Sequence, residues 1–109
     1  SQKDLNELIA YMNKNSEYYL IIYGHTDSKG SISYNKKLAG RRANKTYNYL
    51  VTNGISKDRI IRAVGVGEIE PAAPNENPNG TDNSTGRQLN RRVEIKVELP
   101  EMSDLYISL

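Results

Sequence analysis

One apolar run constrains the fold of this chain more than any other feature of its 109 residues. Residues 18–23, YYLIIY, are continuous, aromatic or aliphatic, and too few for a buried helix. Such a run is typical of a strand that is covered on both faces, as in a parallel sheet. A parallel neighbour requires a long crossover connection, usually a helix. The run therefore predicts an α/β fold built around a buried strand.

Two segments with helical periodicity lie on either side of this strand. The first covers about residues 3–15, and the second runs from about residue 33 or 34 to residue 53. Four apolar residues of the first segment share one face, namely Leu5, Leu8, Ile9 and Met12. For the second helix the pattern predicts Ser33 as the N-cap and Gly54 as the residue just past the C-terminus.

Two more strands complete the predicted sheet. Residues 60–66 are β-prone, and residues 92–99 alternate apolar and charged side chains with the period of a half-buried strand. The connection through the second helix is long enough for a βαβ crossover. The element order predicts a two-layer α/β (α+β) sandwich, in which helices pack on one face of a small mixed β-sheet.

A long polar segment separates the last two predicted strands. Residues 69–88 are rich in Pro, Gly and Asn, which predicts a loop. We expect one domain over residues 1–99 and a C-terminal tail over residues 100–109.

Composition excludes several kinds of site. The chain has no cysteine and one histidine, which rules out a disulfide framework, a thiolate metal site and a multi-histidine centre. We expect neither a metal nor a cofactor. The formal net charge of +2 is too small to indicate nucleic acid or a membrane surface as partner. The N-terminal residues do not resemble a signal peptide. We expect a soluble domain that can be part of a larger exported protein.

Asp27 and Arg42 form the most informative pair of charges. Asp27 follows the buried strand directly, in the motif Gly24-His25-Thr26-Asp27, and Arg42 lies near the edge of the buried stripe of the second helix. In open α/β sheets, ligands bind at the carboxyl ends of strands. We therefore expect the two side chains to face one crevice, where an anion and a cation suit a ligand that carries both an ammonium and a carboxylate.

A set of separated motifs resembles one known family. The chain is similar to the OmpA-like peptidoglycan-binding domain over about residues 5–99, in matching order and spacing. That family includes C-terminal domains of outer-membrane porin-like proteins, peptidoglycan-associated lipoproteins and the flagellar stator anchor. The matching positions are Gly24-His25-Thr26-Asp27, Tyr34-Asn35, Leu38, Arg42-Ala43, Tyr49-Leu50, Gly54-Ile55, Arg59-Ile60, Gly65, Gly67-Glu68, Pro71, Gly86-Arg87 and Asn90-Arg91-Arg92-Val93-Glu94.

The resemblance implies a function and a set of site residues. It implies non-covalent, non-catalytic binding of peptidoglycan through the diaminopimelate of the stem peptide. By this resemblance Asp27 accepts hydrogen bonds from the ammonium, Arg42 holds the carboxylate, Asn35 and Leu38 shape the pocket, and Arg91 lies near its rim. It also implies a periplasmic domain, attached to the outer membrane through the rest of a full-length parent.

Two departures from the family pattern are visible. Family members begin with a strand that contributes to the ligand pocket, and this chain starts after it. We expect the exposed sheet edge to be paired either by the tail, residues 105–109, or by a second chain in a dimer. The loop at residues 75–85 is also longer and richer in Asn than usual, and looks like the version in Bacteroidetes proteins.

Two other functions remain open from the residues alone. A peptidoglycan-processing hydrolase would use Glu68, Glu70 and His25, although the sequence offers no clear second catalytic carboxylate or metal. A nucleic-acid-binding module would use the pairs Arg41-Arg42 and Arg91-Arg92, although no aromatic residues alternate with them. His25 itself is predicted to be structural, because no Ser or Cys nucleophile shares its motif.

Overall fold

Three helices and four strands make up the fold of the computed structural model, which describes residues 2–68, 72–98 and 105–108. In chain order the elements are α1 (Gln2–Lys14), β1 (Tyr19–His25), α2 (Ile32–Thr52), a 3-10 turn (Lys57–Arg59), β2 (Ile60–Gly67), α3 (Ser84–Asn90), β3 (Val93–Glu98) and β4 (Leu105–Ser108). In the described part of the chain, no helix has the length and apolar character needed to cross a membrane.

The four strands form one mixed sheet in the order β2-β1-β3-β4. Strand β1 pairs parallel with β2 and antiparallel with β3, so it lies inside the sheet. Its residues Leu20, Ile21 and Ile22 are all buried, as the continuous apolar run predicts. Because α2 connects the parallel neighbours β1 and β2, the predicted βαβ unit is confirmed.

The core lies between the sheet and the helices α1 and α2. Helix α1 contributes Leu8, Ile9 and Met12, and α2 contributes Ala43 and Leu50. The sheet and the loop before β2 supply Leu20, Ile22, Ile55, Ile60, Ile95 and Val97. The two-layer α/β sandwich expected from the sequence is therefore confirmed.

Helix α2 lies unusually close to the C-terminal ends of β1 and β2. A Cβ atom on Gly24 would stand 2.1 Å from the carbonyl oxygen of Ala39, and one on Gly65 would stand 2.4 Å from the amide nitrogen of Gly40. No real side chain fits at such distances, so glycine is required at both strand positions. This close approach places the first half of α2 over the strand ends where the site is expected.

The N-terminus of α2 differs from the prediction. The helix begins at Ile32, and Ser31 rather than Ser33 is the N-cap, with its Oγ accepting a hydrogen bond from the Tyr34 amide at 3.1 Å. The prediction of Ser33 was therefore wrong by two residues, because Ser31 has the extended backbone that an N-cap requires. The predicted C-terminus is confirmed, since Gly54 follows the cap residue with a φ of +117°.

The predicted loop over residues 69–88 was wrong in its last part, where α3 begins at Ser84. The Asn83 side-chain oxygen caps this helix by accepting from the Gly86 amide at 2.8 Å. A helix of 7 residues with an internal glycine has little stability of its own. Gly86 is needed because a Cβ there would stand 1.8 Å from the carbonyl oxygen of Pro74, so tertiary packing explains both the helix and its glycine.

The C-terminal tail pairs with the exposed edge of the sheet, which is one of the two arrangements expected from the sequence. Strand β4 runs antiparallel to β3, with Ile107 opposite Ile95, and Ile107 is partly buried against the core. The tail, rather than a second chain, thus covers this edge of β3. The domain boundary predicted at residue 99 lies outside the described residues.

Candidate functional site

The site is organised around Asp27, at the C-terminal end of β1. The Thr26 amide donates to the carbonyl oxygen of Gly67 at 2.8 Å, which extends the pairing of β1 with β2 up to this point. Asp27 is only 6% exposed. Its Oδ1 accepts a hydrogen bond from the Lys29 backbone amide at 2.9 Å. The carboxylate is therefore held in one orientation by the loop that follows it.

Two arginines from the C-terminal third of the chain form ion pairs with this carboxylate. Arg91 Nη1 lies 2.5 Å from Asp27 Oδ2, and Arg87 Nη1 lies 3.6 Å from the same oxygen. Burial alone would raise the pKa of Asp27, but the Lys29 amide and the charges of Arg91 and Arg87 outweigh it and lower the pKa below its usual value. Asp27 is consequently a buried, fully ionised carboxylate at neutral pH.

Arg87 is a site residue that the sequence did not single out. Its Nε and Nη2 bind the two carboxylate oxygens of Asp82 at 2.5 Å each, in a bidentate pair. This hydrogen bond raises the pKa of Arg87 and lowers the pKa of Asp82. Gly86-Arg87 belongs to the family-like motifs, which is the signal that pointed to this position.

Asn35 and Leu38 come from the first turns of α2. Asn35 is 2% exposed, and its Nδ2 donates to the backbone oxygen of Asp27 at 3.2 Å and to Glu68 Oε1 at 3.3 Å. It thus joins α2 to the ends of both β1 and β2. Leu38 is half-buried one turn further along the helix.

Arg42 reaches the same end of β1 by another contact. Arg42 is half-buried, and its Nη1 lies 3.5 Å from the carbonyl oxygen of His25, two residues before Asp27. The structure therefore brings Asp27, Asn35 and Arg91 into direct contact, and it places Arg42 beside them on the strand backbone. The sequence did not anticipate that Asp27 pairs with Arg91.

An asparagine pair anchors the surrounding loop. Asn75 Oδ1 accepts from the Ser28 amide at 3.3 Å and from Asn90 Nδ2 at 2.9 Å. Ser28 is the residue after Asp27, so this contact links the Asn-rich loop and α3 to the site. In the sequence, Asn75 was marked only by the abundance of Asn in the loop, whereas Asn90 belongs to the family-like motif Asn90-Arg91-Arg92-Val93-Glu94.

His25 lies behind the site, as predicted for a structural residue. It is 3% exposed, and its Nε2 lies 3.6 Å from Glu94 Oε2, which also accepts from Arg92 Nε at 2.9 Å. The sequence suggested Glu70 as a further candidate, but it lies outside the described residues. Among the described residues, no group of three or more His, Cys, Asp or Glu side chains is arranged to hold a metal ion.

Each of the two arginines at Asp27 borders an open cleft. Arg87 borders a cleft of about 250 Å³, which is lined by Ser28, Lys29, Asn75, Glu76, Gly80, Asp82 and Arg87. Arg91 borders a second cleft of about 510 Å³, which is lined by Ala72, Thr85, Gln88, Leu89, Arg91, Arg92 and Ser108. A larger cavity of about 650 Å³ between α1 and α2 contains none of the predicted site residues.

Comparison with known proteins shows which proteins this chain resembles. The sequence model of the OmpA family matches residues 1–85. The chain is 41% identical over 100 residues to outer membrane porin F of Pseudomonas fluorescens. This alignment covers 90% of the chain and 28% of the porin. It is 42% identical over 76 residues to the peptidoglycan-binding protein ArfA of Mycobacterium tuberculosis, which covers 70% of the chain and 21% of that relative.

A solved structure shares the fold. The peptidoglycan-associated lipoprotein from Burkholderia pseudomallei superposes with a TM-score of 0.72 at 22% identity, over 94% of this chain and 74% of that one. The curated relatives are much longer, and the chain spans between 11% and 37% of the length of the first four it matches.

Proposed function

The chain belongs to the OmpA family, and on this premise we propose that it binds peptidoglycan non-covalently, through the diaminopimelate of the stem peptide. In this role it anchors a larger envelope protein to the cell wall. The observation that carries the proposal is the buried, ionised carboxylate of Asp27, at the strand end that the Arg42 guanidinium also reaches.

The chemistry of the site suits an amino acid with a free ammonium and a free carboxylate. A buried carboxylate accepts several hydrogen bonds from an ammonium, and the planar guanidinium of Arg42 matches a carboxylate in a bidentate way. Asn35 donates a hydrogen bond to the backbone oxygen of Asp27, and Arg91 lies at the exposed rim of the site. Leu38 is proposed to form an apolar wall of the pocket. Diaminopimelate carries both groups at the end of its side chain.

Affinity at one such site is modest. A single pocket for one amino-acid moiety corresponds to a Kd on the order of 10 to 100 µM. Firm attachment to the cell wall then comes from many tethered copies that face one polymer.

The relatives support a periplasmic location. They include an outer membrane porin, a protein named as peptidoglycan-binding and, at the level of fold, a peptidoglycan-associated lipoprotein. The domain acts in the periplasm and is held at the outer membrane by the remainder of its parent.

Sedimentation with purified sacculi tests the proposal. We expect Asp27→Ala and Arg42→Ala to lose co-sedimentation, while thermal unfolding shows that both variants are folded. Matched controls are Asp58→Ala, an exposed acid in the 3-10 turn, and Arg41→Ala, the exposed neighbour of Arg42 on α2. Full retention of the Asp27 and Arg42 variants on sacculi would contradict the assignment.

A second comparison tests the diaminopimelate specificity. Lysine differs from diaminopimelate by the carboxylate that Arg42 is proposed to hold. We expect free diaminopimelate to shift the NMR signals of the site residues in a saturable way, and lysine to bind at least tenfold more weakly. Equal affinity for the two amino acids would contradict the proposed contact between Arg42 and the ligand carboxylate.

The structure offers less to the two alternative functions. Hydrolysis by His25 is disfavoured because this side chain is 3% exposed behind the site, and incubation with muropeptides followed by mass spectrometry would detect any product. Nucleic-acid binding is disfavoured because Arg91 and Arg92 are paired with Asp27 and Glu94. Salt-sensitive retention on DNA without retention on sacculi would favour it instead.

A further inference from the structure

The two arginines at Asp27 differ in how firmly they are held. Arg87 is 16% exposed, and both oxygens of Asp82 bind its guanidinium. Arg91 is 39% exposed and meets Asp27 through Nη1 alone. The Arg91 side chain loses rotamer entropy to hold this single contact, and its exposed part is already solvated by water. Arg87 is therefore a fixed cation, whereas Arg91 is exchangeable.

Arg91 occupies the position that a ligand ammonium requires. Asp27 Oδ1 accepts from the Lys29 backbone amide, and Oδ2 is the oxygen that lies against the two arginine cations. Arg91 Nη1 binds this same Oδ2 at 2.5 Å. An ammonium at Oδ2 would lie next to the Arg91 guanidinium, and the repulsion between two cations at one oxygen makes them compete for it.

We propose that Arg91 is a built-in competitor, which closes the Asp27 carboxylate in the unliganded protein and must swing away before an ammonium group binds. This inference rests on the proposed function. The released side chain has room to move, since Arg91 borders the cleft of about 510 Å³ between α3 and β4. Arg91 thus sets the apparent affinity of the site by controlling the fraction of molecules whose carboxylate is accessible.

Asp82 has a complementary role in this arrangement. Its bidentate contact holds the Arg87 guanidinium at 3.6 Å from Asp27 Oδ2, beyond hydrogen-bonding distance. Without Asp82, Arg87 is free to close on Asp27 as a second competitor. Asp82 is 48% exposed, and we expect its effect on binding to pass through the Arg87 guanidinium that it holds.

The test uses two variants with opposite expected signs. We expect Arg91→Ala to raise the affinity for free meso-diaminopimelate about three- to tenfold, measured by NMR titration, because the accessible fraction rises toward one. We expect Asp82→Asn to lower it by a similar factor. Arg41→Ala, which removes an exposed arginine from α2, is the matched control and leaves the affinity unchanged. In the native protein the Arg91 Nε–H signal should also shift as ligand is added.

The outcomes separate this inference from the proposed function. An unchanged or lower affinity of Arg91→Ala would overturn the competitor role. If Asp27→Ala abolishes binding while Arg91→Ala binds as the native protein does, only the competitor role fails. If Asp27→Ala binds diaminopimelate as the native protein does, the proposed function fails as well.

Discussion

The side-chain amide of Asn90 donates to the side-chain oxygen of Asn75 at 2.9 Å, and this contact joins α3 to the loop beside Asp27. Asn90 is fully buried and makes three more hydrogen bonds. Its oxygen accepts from the amides of Ala72 and Ala73, and its nitrogen donates to the Ala73 carbonyl oxygen. The side-chain oxygen thus accepts two hydrogen bonds and the side-chain nitrogen donates two, and all four hold the connection between β2 and α3.

We therefore expect Asn90→Ala to lower the free energy of unfolding by about 2 to 4 kcal/mol, because it leaves buried backbone groups without partners. Binding to sacculi should weaken too, since Asn75 loses the anchor that places it against Ser28. Urea unfolding measures the first effect. Asn44→Ala, an exposed asparagine on α2, is the control and should change stability by less than about 0.5 kcal/mol. A loss of similar size in both variants would remove the special role of Asn90.

A pair of glycines on facing elements predicts opposite changes in stability. In Gly24→Ala the new Cβ meets the Ala39 carbonyl oxygen at 2.1 Å, so α2 has to move and stability should fall by about 1 to 3 kcal/mol or more. In Gly40→Ala the Cβ meets nothing within 4 Å, and the loss of backbone freedom in the unfolded chain should add about 0.4 to 1 kcal/mol. Melting temperatures that move the same way in both variants would contradict this packing.

Arg59 ties the end of α1 to the start of β1. Its guanidinium donates to the carbonyl oxygens of Met12, Asn15 and Tyr18 at 2.5 to 3.2 Å. Lysine cannot reproduce this fork of donors. We expect both Arg59→Ala and Arg59→Lys to destabilise the domain by about 1.5 to 3 kcal/mol, whereas Lys57→Ala in the same exposed turn should have little effect. Chemical denaturation at neutral pH compares the three, and a fully stable Arg59→Lys would show that charge alone suffices.

Acid should weaken the fold through Asp27. Its pKa is lowered in the folded state despite burial, because the Lys29 amide and Arg91 stabilise the carboxylate. The folded protein thus binds this proton more weakly than the unfolded chain, so the contribution of Asp27 is present above its unfolded pKa of 3.8 and is lost as pH falls below it. Asp27→Asn should lose stability at pH 7 and show a shallower decline below pH 4.

The measurement is the free energy of unfolding between about pH 2 and pH 7, compared for the native protein, Asp27→Asn and Asp82→Asn. Asp82 also has a lowered pKa, caused chiefly by its hydrogen bond with Arg87, so its variant should flatten the same acid limb in part. An acid limb that is identical in all three proteins would contradict the ionised pairs described here.

Much of the fold was predictable because local patterns suffice for it. The buried strand, the long helix with Gly54 behind it and the alternating strand before residue 99 each carry their own periodicity. Helix α3 was not predictable, because a short helix with Gly86 inside depends on the Asn83 cap and on packing against Pro74. The N-cap was predicted at Ser33 and lies at Ser31, because the backbone conformation that decides between nearby serines is not visible in a local pattern.

The candidate site divides in the same way. Asp27, Asn35 and Arg42 lie within one strand–helix unit. Their proximity at the end of β1 therefore follows from the βαβ crossover, which was predicted from the sequence. Arg91 stands 64 positions from Asp27, and no local pattern reports a contact over such a distance.

Local sequence patterns were thus enough to predict a mixed α/β sandwich with a carboxylate at the end of its buried strand. Three contacts depend instead on the folded arrangement: β4 pairs with the edge of β3, Arg91 binds Asp27, and Asp82 holds Arg87. The physical reason is range: helical and strand periodicity arise between near neighbours, whereas strand pairing and ion pairs depend on distances that exist only after the chain has folded.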